Sequence, residues 1–282
     1  MSKEPELPPP LDVVAVGAHP DDVEVACGGT LAKLAGQGYR VGIIDLTDGE
    51  PTPFSKGPES RFLEATQAAK ALGVCYRIQM DLPNRQLFDC FEARVELAKI
   101  FRMTRPRVVI GFGDKSPMAS PDHHQAMLLT DAAVFYSRLS KWDEQFDHYP
   151  PHVISRQLYF RLALEPMNIA GNPYHTLIDI SDTLERKLAS IRCYGSQFDH
   201  KRQIEDRVRA AAVMAGSIAG VAAAEPFAAA RPFATDDFFG AVGLDVDPTM
   251  GTDPSDVREL TLRHWSTGLG KATKQHTPTT ER

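Results

Sequence analysis

Val13-Val14-Ala15-Val16-Gly17-Ala18-His19-Pro20-Asp21-Asp22-Val23-Glu24 opens on an apolar run and closes on an imidazole and three carboxylates. The apolar run reads as a short buried strand, and a helix is expected to begin at Cys27-Gly28-Gly29-Thr30-Leu31. His19, Asp21 and Asp22 then sit at the C-terminal end of a strand, where open α/β sheets place their ligands. Pro20 stiffens the loop. One such loop can supply two metal ligands and a general base, which suits a metal-dependent hydrolase. The bland alternative is that the paired aspartates only cap the following helix.

A partner loop exists at Ser120-Pro121-Asp122-His123-His124-Gln125-Ala126, between the strand-like Val108-Val109-Ile110-Gly111-Phe112 and a helical stretch over residues 126–139. In a parallel sheet such strand-to-helix loops share one edge, so distant residues can converge on one ion. The wider pattern supports that sheet. Strands are expected at residues 13–18, 40–46, 75–79 and 108–112, alternating with helices at 31–37, 59–72 and 91–103. Gly73 is placed to end the second of these helices. The fold class is therefore α/β: a Rossmann-like, mostly parallel sheet with helices on both faces. Extra strands at 153–160 and 176–180 and helices at 182–193 and 203–216 extend it, with Asp182 and Glu185 spaced as a capping box. Residues 1–11 read as a flexible segment, 12–244 as a single domain and 245–282 as a partly ordered tail.

Composition narrows the function. A net charge of −6 with no Lys/Arg block argues against a nucleic-acid binder. No apolar run approaches the roughly 20 residues needed to span a bilayer, and the polar, proline-rich start is unlike a secretory signal, so a cytoplasmic location is expected. Cys27, Cys75, Cys90 and Cys193 form no C-x-x-C pair, which speaks against a structural zinc or a disulfide framework. Gly17-Ala18-His19 lacks the G-x-G-x-x-G cradle, which weakens a nucleotide-binding reading.

At Ala18-His19-Pro20-Asp21-Asp22-Val23-Glu24 the chain resembles the PIG-L, or LmbE-like, family of zinc-dependent N-acetylglucosamine deacetylases, whose first motif is A-H-P-D-D-x-E. The second motif, H-P-D-H, is matched at Pro121, Asp122 and His123. Asp45-Leu46-Thr47-Asp48-Gly49-Glu50, Asp179-Ile180-Ser181 with Glu185-Arg186-Lys187, and Tyr194-Gly195-Ser196-Gln197-Phe198 also agree. Within the family the chain looks closest to the bacillithiol-biosynthesis deacetylases. The resemblance implies Zn2+, or another divalent ion, on His19, Asp22 and His123, with one position left for water. Asp21 is then the general base, and Glu24 and Asp122 orient ligands from outside the metal's own shell. The implied substrate is a small amino sugar and the implied assembly a trimer or hexamer.

Two departures stand out. Ser120 occupies the position where the family has histidine, and a serine hydroxyl cannot carry positive charge. His124, Tyr194, His148, His152 and His175 are the candidates to replace it, and a catalytically impaired sugar-binding relative is the alternative reading. Lys56 stands where relatives often carry arginine, losing the bidentate fork, so Arg61 or Arg85 is expected to contribute to substrate binding beside Glu50.

Overall fold

The computed structural model describes residues 7–162, 175–201, 203–232 and 234–236. The chain divides into a unit Met1–Pro232 and a second, Phe233–Arg282. The first unit carries the sheet and its helices; the tail expected at 245–282 lies outside the described residues.

Parallel strands covered on both faces should be apolar throughout, and β1 (Val13–Gly17) and β2 (Val41–Asp45) are buried at every position. With β3 (Tyr76–Gln79), β4 (Val108–Phe112) and β5 (Arg156–Phe160) they form the parallel part of one seven-stranded sheet. The order is β3-β2-β1-β4-β5-β7-β6, where β6 is His175–Asp179 and β7 is Ala224–Ala229. β7 runs antiparallel to both β5 and β6. The helices are α1 (Asp22–Gly36), α2 (Pro58–Leu72), α3 (Phe91–Thr104), α4 (Asp122–Tyr136), α5 (Leu184–Arg192), α6 (Gly195–Phe198) and α7 (Ile204–Ala219). α1, α2 and α5 pack together, as do α3 and α4. Among the described residues no helix is long and apolar enough to cross a membrane.

The expected α/β architecture holds, with corrections in detail. β7 is not among the expected strands, because Ala224-Glu225-Pro226-Phe227-Ala228-Ala229 lacks β-branched residues and contains a proline. The sheet tolerates Pro226 because the ladder to β5 stops at the Phe160–Phe227 pair, so only β6 meets the proline. The capping box on α5 does not form: Asp182 faces Lys33 at 3.4 Å, and Glu185 pairs with Arg209. α4 begins at Asp122, ahead of the expected Ala126. In the N-terminal segment, Leu11 is buried, and Arg40 and Arg105 donate to the carbonyls of Pro10 and Pro8.

The largest correction is α1, which starts at Asp22 rather than at Cys27. Cys27 marks a break instead, with φ −138° and ψ 19° inside the helix. Beyond the break, Gly29 lies against Ile180: a Cβ there would stand 2.7 Å from Ile180 Cδ1 and 3.0 Å from its Cβ. Gly73 ends α2 as expected, at φ 76°, with its N–H on the Ala69 and Lys70 carbonyls.

Two glycines of α1 should thus respond oppositely to alanine. Gly29→Ala must displace the fully buried, β-branched Ile180, an overpacking cost of about 1–3 kcal/mol that outweighs the helix-propensity gain. Gly36→Ala meets only Arg186 Nη1 at 3.8 Å and should stabilise by at most about 1 kcal/mol. Urea denaturation of both variants checks the signs.

Candidate metal centre

Strand order reverses between β1 and β4, and the loops after these two strands open into the crevice at that switch point. The β1–α1 loop delivers His19 and Asp21, and Asp22 opens α1; the β4–α4 loop delivers Ser120, and Asp122 and His123 open α4.

Asp22 is the centre of the cluster. Its Oδ2 accepts the His19 backbone N–H at 2.8 Å, closing the loop on itself, and lies 3.3 Å from His19 Nδ1. Its Oδ1 lies 3.3 Å from His123 Nε2. The two rings stand 5.4 Å apart, and Phe112 from the end of β4 stacks on His123 at 4.7 Å. One ligand atom from each of His19, Asp22 and His123 falls within 4.8 Å of the others. On the far side, His19 Nε2 is 3.2 Å from Asp122 Oδ2, which also accepts the Arg85 backbone N–H at 2.6 Å. That carboxylate–imidazole contact sets the ring's orientation and leaves Nδ1 to face Asp22.

The electrostatics are those of a cation site. Burial alone would lower the His19 pKa, but Asp22 and then Asp122 raise it to about 10. Burial likewise opposes charging His123, and Asp22 overrides it, raising that pKa too. Asp22 itself is held well below the usual carboxylate range: burial pushes it up, and His123 and His19 more than reverse this. Carboxylates that draw protons onto two imidazoles would equally favour a divalent ion. Two histidines and one carboxylate, converging and braced from behind, are a donor set that fits zinc.

Asp21 differs from its neighbour. Its backbone is left-handed at φ 119°, and its side chain makes no hydrogen bond among the described residues. Arg61 Nη2 stands 3.8 Å from it. Burial, and then the charge of Asp22, push its pKa up to about 7 against the pull of Arg61. Arg61 is fully buried, donates to the Pro20 carbonyl at 2.6 Å, and lies 3.7 Å from Glu50 and 3.6 Å from Glu64.

A cavity of about 550 Å³ opens above the cluster. Asp21, Arg61, Arg85 and Ser120 line it, with the Ser120 hydroxyl 3.3 Å from the Asp122 N–H. Several candidates lie elsewhere. Glu24 touches no proposed ligand; it accepts from Arg77 at 2.5 Å and from the Tyr194 hydroxyl at 2.9 Å, behind the loop. Tyr194 is therefore spent on that contact and does not line the cavity. Lys56 is exposed, and His124 stays out of the cavity because its neighbour His123 takes the inward direction at the helix start. His148, His152 and His175 also lie away from it; His152 Nε2 is instead 2.7 Å from the Pro106 carbonyl. Glu50 stands behind the wall, accepting from Thr52. Thr52, Asn84, Gln197 and Arg207 line the cavity and are absent from the sequence-based candidates. Only Gln197 has a sequence signal, its place in the Tyr194–Phe198 segment.

Residues 14–134, which include both ligand-bearing loops, match the family described as PIG-L: GlcNAc-PI de-N-acetylase. A diacetylchitobiose deacetylase of Thermococcus kodakarensis is 30% identical over 195 residues, covering 66% of this chain and 70% of that protein. A 1D-myo-inositol 2-acetamido-2-deoxy-alpha-D-glucopyranoside deacetylase of Thermobispora bispora is 30% identical over 145 residues, 40% of this chain and 48% of that one, so the chain spans about half of that relative. The crystal structure of the conserved protein TT1542 from Thermus thermophilus superposes with a TM-score of 0.69 at 31% identity, over 81% of this chain and 98% of that one. The similarity thus runs to chitobiose and inositol-sugar deacetylases, which corrects the expectation of a bacillithiol-type enzyme. With this likeness extending well beyond the two motifs, the chain belongs to the PIG-L family and is an N-deacetylase.

Proposed function

We propose that the protein is a zinc-dependent hydrolase that removes acetyl from an N-acetylglucosamine-type sugar or glycoside, with Asp21 as general base. The observation that carries this reading is the division of labour among three aspartates at one crevice. Asp22 faces both imidazoles, Asp122 braces His19, and Asp21 is left uncommitted at the cavity wall. The named activities of the chitobiose and inositol-sugar relatives support an amino-sugar substrate.

His19, Asp22 and His123 would hold the metal. When bound, zinc lowers the pKa of water to about 7 in favourable sites and polarises an amide carbonyl. Asp21 takes the proton of the attacking water and later delivers it to the departing amine nitrogen, so the carboxylate ends the cycle as it began. Arg61 keeps that carboxylate near the cavity through its grip on the Pro20 carbonyl. Arg85 presents donors suited to sugar hydroxyls, and Gln197, whose amide N–H groups are given to Thr52 and Ser196, keeps its carbonyl oxygen as an acceptor. Ser120 offers a neutral hydroxyl at the cavity wall where relatives place an imidazole, a weaker donor to a developing oxyanion.

Four variants test this reading. His123→Ala should lose most of the bound zinc measured by elemental analysis, whereas Asp122→Ala should bind it with an affinity lower by about 10–100-fold. Asp21→Asn should keep its metal and lose turnover by about 10²–10⁴-fold on N-acetylglucosaminyl glycosides, followed as released amine. Normal turnover in Asp21→Asn would remove it as the base. Ser120→His should raise turnover and add an ionisation to the pH profile, since a missing oxyanion donor typically costs about 10²–10³-fold.

A further inference from the structure

The break in α1 is filled by an ion pair from elsewhere in the chain. In an unbroken helix the N–H groups of Gly29 and Thr30 would be directed to the carbonyls of Val25 and Ala26. Here Glu225, on β7, takes both donors, through Oε1 to Gly29 at 2.9 Å and Oε2 to Thr30 at 2.7 Å. Lys187, on α5, takes the Ala26 carbonyl at 3.3 Å and meets Glu225 Oε1 at 2.5 Å. Thr183 donates its hydroxyl to the Gly29 carbonyl at 2.8 Å. Both charged side chains are fully buried, and the α1 groups they hold lie on either side of Cys27.

Insertion of side chains into the helix ladder is a recognised cause of a kink. The kink matters because of what lies before it. Only the short turn Asp22–Ala26 precedes the break, and it carries the carboxylate that faces both His19 and His123. That turn is pinned on its other flank by Glu24, through Arg77 and Tyr194. Its direction is thus set separately from the rest of α1.

We propose that Lys187 and Glu225 are positioning residues for the metal centre: by entering the α1 ladder at Cys27 they aim the Asp22 turn at His123. The inference rests on the metal reading above and adds to it two residues that touch neither metal nor substrate. Replacing the Glu225 carboxylate by an amide turns one acceptor into a donor facing an N–H, which opens the clasp without changing its size.

The test uses the full chain and reads two properties of the metal centre itself: zinc affinity by competition with a chromophoric chelator, and the absorption bands of the cobalt(II)-substituted protein. Urea midpoints are measured alongside. Glu225→Gln should weaken zinc binding by about 10–100-fold, the range for groups that orient ligands, and should shift the cobalt bands. Thr183→Val should move both readouts the same way by a smaller amount. Arg102→Leu, which removes buried contacts to the Ser137 and Tyr149 carbonyls away from the site, should lower the urea midpoint and leave both unchanged. A destabilised Glu225→Gln with the parent's affinity and spectrum overturns the inference. Should Glu225→Gln fail to fold, Thr183→Val decides, and parental values there overturn it equally. If His123→Ala binds zinc as tightly as the parent, the metal reading itself has failed, and this inference with it.

Discussion

Reversal of strand order between β1 and β4 governs the whole arrangement. The two strands are parallel neighbours, and the helices that follow them belong to different packing groups, α1 with α2 and α5, α4 with α3. The chain must therefore leave the two strand ends in diverging directions, which keeps their loops from filling the space between them. Two loops about a hundred residues apart (His19 and Asp122 are separated by 103 positions) come to face each other across that gap. Convergence of the histidines follows from topology before any side-chain chemistry is considered.

Within the gap, environment assigns roles to chemically identical groups. Three aspartates sit within one crevice, and only their neighbours distinguish them. Asp22, between two imidazoles, is the most strongly acidic; Asp122, bonded to His19 and a backbone N–H, is also held low. Asp21, desolvated and beside a like charge, moves the other way. Two carboxylates held low beside one pushed up to about 7 is the separation that the proposed acid–base chemistry requires. Arg61 tempers the divergence while being too crowded by Glu50 and Glu64 to form a tight pair with Asp21.

The parallel sheet and the convergence of His19, Asp22 and His123 are legible in the sequence because each is written locally: a buried strand, a turn, then His or Asp at the helix start. Expectation fails where the signal is not local. Tyr194 reads as a hydroxyl free to meet substrate, yet the buried Glu24 behind the loop claims it. Lys56 reads as a charge in a loop, and no sequence pattern says which way a loop cation turns. β7 escapes notice because its side chains carry little strand propensity; it is held by its two neighbours and by Glu225. Gly28-Gly29 invites placement of the helix start there. The real start is earlier, since side chains of α5 and β7 replace what the broken helix cannot provide for itself.

The clasp on α1 also orders events in time. Gly29 and Glu225 are separated by 196 positions, so a ribosome working at about 5–20 residues per second adds the partner on the order of ten seconds or more after it has added Gly29. During that interval His19 and Asp22 exist, and later His123 as well, but the turn that aims Asp22 has nothing to close its break. An N-terminal fragment carrying both motifs would hold the reactive residues without the support that sets them. The chemistry is encoded near the front of the chain, and its completion waits for the last described strand of the sheet to be made.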